Sequence, residues 1–201
     1  MKEKTKEERD KAYNRFLTTS IAICLVLICY LLTTLVVIKM RYKDYGLENY
    51  SIADYYKVND YITNKYYELE GTHVLTVATA EEKIKQEIQP KFYILIKAKP
   101  FIDYASGITL PPFRIIVVDA DRDQREYLTD LAHEFVHLKY MVANETWTQF
   151  NTFKILYESK NKYLNYLACH LAINIFHGIY PKEYRCIGNI VNYIKSKEVL
   201  I

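Results

Sequence analysis

The chain has 201 residues, half of them hydrophobic and a quarter charged. That balance excludes a disordered chain and supplies enough apolar surface for one domain with a core plus an appendage. The net charge is only +3, with no dense basic block in the folded part, which argues against nucleic-acid binding.

Residues 1–15 read as a solvated cytosolic tail, and residues 16–38 (FLTTSIAICLVLICYLLTTLVVI) as a transmembrane helix. The run contains no charge and is bracketed by Arg15 and Lys39. At about 1.5 Å per residue it crosses a hydrocarbon core about 30 Å thick. It is longer than the apolar run of a signal peptide, and no A-x-A-like cleavage site follows, so an uncleaved anchor is expected. Lys2, Lys4, Lys6, Arg9, Lys11 and Arg15 precede it, whereas Lys39, Arg41, Lys43 and Lys57 follow by residue 60. The positive-inside rule leaves the N-terminus in the cytoplasm and the remainder extracytoplasmic.

Residues 39–51 form a tyrosine-rich juxtamembrane linker, and residues 52–201 the folded domain. Residues 52–69 (IADYYKVNDYITNKYYEL) have the spacing of an amphipathic helix that ends before Gly71. THVLTVAT reads as a short strand, and AEEKIKQEIQ as a short helix stopped by Pro90. KFYILIKA (91–98) and FRIIVVDA (113–120) are β-rich and read as strands, separated by the loop KPFIDYASGITLPP.

After Asp119 the pattern turns helical. Asp121 or Asp123 caps the helix, with Glu126 in the first turn. Tyr127, Leu128, Leu131, Ala132, Phe135, Val136 and Leu138 supply its buried surface. VAN (142–144) breaks the period, and Asn144 caps a second helix over 145–157. NKYLNYLACHLAINIFHGI predicts a third helix, and EYRCIGNIVNYIKSK a last one. The fold class is therefore α+β, a small sheet followed by a helical half. No CxxC pair occurs among Cys24, Cys29, Cys169 and Cys186, so a cysteine zinc site is not expected. Cys169 and Cys186 read equally as a disulfide, if outside the cytoplasm, or as two buried thiols.

The stretch LAHEFVHLKY (131–140) carries the chemistry. On a helix His133 and His137 stack one turn apart and can direct both imidazoles at one ion. Zinc accepts neutral imidazole at about 2.0–2.1 Å. Glu134, rotated about 100° from His133 on a helix of 3.6 residues per turn, flanks that ion and can accept a proton from a water activated by it. Asp130 can support the site face. A third ligand is expected downstream. If the second helix turns back antiparallel, Glu145 or Gln149 comes level with His137, and Glu145 is favoured. Glu158, His170 and His177 are the competitors. Tyr140 is placed to donate to an oxyanion, although packing explains it as well, and Trp147 reads as packing.

The stretch YASGITLPPFRIIVVDADRDQREYLTDLAHEFVHL, continued by NETWTQF, resembles the zincin core of ImmA/IrrE-type metallopeptidases, over about residues 104–150. The resemblance implies a minimal zincin-like domain with zinc (Zn2+) held by His133, His137 and Glu145, and Glu134 as general base. It also implies that FRIIVVD is the edge strand along which a peptide substrate aligns. The chain departs from the family in having Gln149 where Asn or Asp is usual, Asp130 in place of Thr, and Glu145 only eight positions after His137. The expected function is a membrane-anchored zinc metallopeptidase that hydrolyses a peptide or protein substrate. The rivals are a catalytically inactive zincin-like scaffold held at the membrane, and a structural membrane protein with no metal.

Overall fold

The architecture comes from a computed structural model of the chain, which describes residues 6–41, 49–71, 74–100, 105–178 and 186–197. The chain divides into two compact units, Met1–Met40 and Arg41–Ile201.

The first unit is built on helix α1 (Lys6–Arg41). Its stretch Tyr13–Thr33 is long and apolar enough to cross a membrane. Hydroxyl-bearing residues do not interrupt it. Thr18 and Thr33 donate to the carbonyls of Asn14 and Cys29, one turn back, at 2.8 Å each.

The second unit is mixed α+β. Among the described residues it contains α2 (Ile52–Leu69), α3 (Val77–Ile88), β1 (Ile94–Lys97), β2 (Gly107–Leu110), β3 (Ile115–Val118), α4 (Gln124–Tyr140), α5 (Glu145–Glu158), α6 (Lys162–Phe176) and α7 (Ile187–Lys197). A 3-10 turn, Pro111–Phe113, joins β2 to β3. Short polar residues start most of these helices by accepting orphan backbone N–H groups. Ser51 accepts from Asp54 at 3.0 Å, Asp123 from Arg125 at 3.0 Å, Asn144 from Trp147 at 2.8 Å, and Asn161 from Tyr163 at 2.9 Å.

The core lies where α4 crosses the other helices and the sheet. Leu128, Leu131, Phe135 and Leu138 of α4 are buried together with Ile62 of α2, Ile84 and Ile88 of α3, and Leu164 and Leu167 of α6. α4 is thus apolar on most of its circumference, which fixes its rotation and aims its remaining polar stripe. Cys169 and Cys186 are buried and are not joined in a disulfide.

The sheet order is β1-β3-β2, with β1 parallel and β2 antiparallel to β3. Its inner face carries Ile116 and Val118, both fully buried, and α4 packs against β2 and β3. Three expectations are corrected here. FRIIVVD is not an edge strand: β3 is central, and β2 takes the edge on its antiparallel side. The segment GITL, read as loop, forms that edge, because its alternation matches β3 in register from Gly107 opposite Val118 to Leu110 opposite Ile115. The described part of THVLTVAT, residues 74–79, is not a strand. Thr76 caps α3 by accepting from the N–H of Thr79 at 3.3 Å, and Ala80, Ile84 and Ile88 bury one helical stripe. Thr72 and His73 lie outside the described residues, as do 42–48 of the linker and 183–185 of the expected last helix.

Candidate metal centre

The α4–α5 connection builds the site. Met141 ends α4 in the left-handed conformation (φ 54°), and its N–H reaches the carbonyl of His137. Asn144 then starts α5, so only Met141–Asn144 separate the two helices. This tight reversal brings Glu145, in the first turn of α5, beside the last turn of α4. A carboxylate there also complements the positive end of the α5 dipole.

His133, His137 and Glu145 come together, each offering one ligand atom within a common cluster. The Nε2 atoms of His133 and His137 are 2.9 Å apart. Glu145 Oε2 lies 2.9 Å from the first and 3.3 Å from the second. Ligands at tetrahedral angles on bonds of about 2.0–2.1 Å are separated by roughly 3.3 Å; the His137–Glu145 distance matches this and the other two are shorter, so all three atoms lie within reach of one ion. The side chains of His133 and His137 are 12% and 9% exposed, whereas Glu145 is 51% exposed. The imidazoles are therefore walled in, and the carboxylate lies on the solvent side of the cluster.

The opposite ring nitrogens decide the tautomers. His137 Nδ1 is 2.6 Å from the carbonyl of Val142, and His133 Nδ1 is 2.5 Å from Oε1 of Gln149. Both partners are acceptors, so each Nδ1 carries the proton and each Nε2 presents a bare lone pair. Two lone pairs and a carboxylate oxygen thus face one point. A proton satisfies one of these pairings at a time; a divalent cation satisfies all three. Burial raises the Glu145 carboxyl, but its bonds to His133 and His137 outweigh this and hold it well below the usual carboxylate range. The arrangement fits a metal centre with outer partners that orient its ligands.

Glu134 points elsewhere on α4, toward β2. It is 6% exposed, and its Oε2 accepts from Thr109 Oγ1 at 2.6 Å. Gly107 lies so close that an added Cβ would sit 2.7 Å from Glu134 Oε1. Asp130 pairs with Arg122 at 2.8 Å. Burial pushes its carboxyl up to about 6, against the Arg122 guanidinium, which lowers it.

The competitors for the third ligand lie outside the cluster. Glu158 accepts from Tyr193 at 2.7 Å and pairs with Lys197 at 3.2 Å. His170 Nε2 lies 3.2 Å from the Asn174 amide nitrogen, and His177 caps the end of α6. Tyr140 packs edge-on against Trp147, with ring centroids 5.1 Å apart. Sequence reasoning missed Thr109, Gly107 and the Val142 carbonyl. The alternation of GITL was a signal for the first two; a backbone carbonyl leaves none.

Comparison with protein-family models, with curated proteins and with solved structures gave no match for this chain.

Proposed function

We propose that the chain is a membrane-anchored, zinc-dependent metallopeptidase, with His133, His137 and Glu145 holding the metal and Glu134 as general base. The observation that carries this reading is the donor set. Two imidazoles in their Nε2-bare tautomer and one carboxylate converge, and three protein ligands leave a coordination position open, as in catalytic zinc sites and unlike closed structural ones. Zinc, when bound, supplies Lewis acidity that polarises a carbonyl and makes water more acidic. Glu134, next in sequence to His133, accepts the proton of the attacking water and returns it to the leaving amine. Thr109 holds one carboxylate oxygen of Glu134, and the other lies against Gly107. β2, as the edge strand, offers an extended peptide backbone hydrogen bonds beside the site.

The anchor is α1. The excess of basic residues before it supports an N-terminus in the cytoplasm and a catalytic unit outside. The burial of Glu134 under Gly107 and Thr109 favours a second reading, a metal-binding scaffold without hydrolysis. Cleavage of a peptide library by the full chain, with and without chelator, separates the two. Cleavage that vanishes with chelator and in Glu134→Gln supports the peptidase. Bound zinc without cleavage of any peptide supports the scaffold.

A further inference from the structure

The sheet covers α4 with one face only. Cross-strand register puts Ile94 and Ile96 of β1, Ile115 and Val117 of β3, and Ile108 and Leu110 of β2 together on the other face. All six outward positions are aliphatic, where a one-sided sheet normally turns polar residues to water. Ile94 is 59% exposed and Ile96 42%, and the other four are half-buried. Two exposed aromatic residues lie just before these strands in sequence: Phe92, 88% exposed, ahead of β1, and Phe113, 56% exposed, ahead of β3. A contiguous apolar surface of this kind marks an interaction site.

Phe92 is also held in place. Its backbone is in the left-handed region (φ 37°), as is that of Arg114 (φ 54°). The Arg114 guanidinium donates to the carbonyl of Phe92 at 2.5 Å and to that of Lys91. These bonds tie down the backbone that carries the exposed Phe92 ring. Lys91 and Lys99, both exposed, flank β1 at its two ends.

We infer that this face docks on the lipid bilayer in which α1 is anchored. The inference rests on the proposed anchoring. An aliphatic face with exposed aromatics and lysines close by in sequence is the chemistry of an interfacial surface: apolar groups enter the headgroup–acyl boundary and cations meet anionic headgroups. Tether length favours lipid as the occupant. Nine residues separate Arg41 from Ser51, so ten Cα steps join them and span at most about 36 Å. The folded unit therefore stays at high local concentration next to a bilayer, where even weak apolar insertion is populated. Docking would hold the edge strand β2 and the metal cluster at a fixed height over the membrane, and so select substrate segments close to its surface.

The test uses the full chain in nanodiscs of mixed zwitterionic and anionic lipid. Cys24 and Cys29 are replaced by Ser, since Cys169 and Cys186 are buried. An environment-sensitive fluorophore is placed singly by Phe92→Cys, Ile96→Cys, Glu82→Cys on exposed α3 surface, and Val26→Cys in α1. Labels at 92 and 96 are expected to shift to the blue and to be quenched by bilayer-borne nitroxide, with 82 unaffected and 26 quenched. Quenching at 26 alone, with 92 and 96 behaving like 82, overturns docking and leaves the anchor standing. A blue shift at 92 and 96 without lipid quenching also overturns it, and points to a second copy or a protein partner on this face. Absence of quenching at 26 defeats the anchor and the docking together.

Discussion

His133 and His137 direct their Nε2 atoms at each other across 2.9 Å while both Nδ1 atoms are engaged by carbonyl oxygens. Neutral rings so arranged repel. The chain is therefore expected to bind one zinc per molecule, measured by elemental analysis after dialysis. His137→Ala is expected to abolish this stoichiometry. Gln149→Ala, which removes only the partner of His133 Nδ1, is expected to weaken affinity about 10–100-fold. Removing zinc with a chelator should lower the melting temperature, because metal that binds the folded state alone stabilises it by mass action.

Glu134 and its cover give a second expectation. Glu134→Gln keeps the shape of the side chain and is expected to retain zinc while losing about 10²–10⁴-fold in peptide cleavage, the usual contribution of a general base. Zinc loss in that variant would remove Glu134 from the role of base. Gly107→Ala places a methyl group 2.7 Å from Glu134 Oε1. It is expected to impair cleavage with little change in metal content, read from kinetics and metal analysis on one preparation.

Asp130 gives a pH dependence. Its carboxyl, pushed up to about 6 by burial, binds a proton more tightly in the folded chain than in the unfolded one, where the ordinary value is 3.8. The raised value favours folding fully below about pH 3.8, and that contribution is lost as pH rises through about 6. In metal-free protein the Asp130→Asn variant should flatten the fall in unfolding free energy between about pH 4 and 6, measured by urea titration. An unchanged slope would place the ionisation elsewhere.

The Cys169 thiol is pushed up to about 12 by burial, so little thiolate is present near neutral pH. Alkylation at pH 8 is expected to spare Cys169 in the native chain and to modify it in denaturant, read by peptide mass mapping. Rapid modification of the native chain would mean that α6 opens locally.

The core offers a plain stability check. Phe135 is 1% exposed, packs edge-on against Tyr93 with centroids 5.0 Å apart, and lies on the face of α4 that aims the site. Phe135→Ala should cost about 3–5 kcal/mol and weaken zinc binding by loosening α4.

The sequence by itself determined what is local. Spacing fixed His133 and His137 on one side of a helix. Short polar residues before α4 and α5 marked where those helices begin, and the uncharged run after Arg15 marked the apolar part of α1. These are decided by covalent geometry and by neighbours a few residues away. Glu145 was legible on one condition, that the helix after the break near Met141 turns back antiparallel past His137. Only the tertiary structure decided the rest. Which strand forms the edge depends on pairing between segments far apart, so GITL read as loop and FRIIVVD as edge until β3 was seen between β1 and β2. The tautomers of the two histidines depend on one backbone carbonyl and one amide brought in by the reversal into α5. The apolar outer face of the sheet exists only once three short strands align in register, since each contributes just two of its residues.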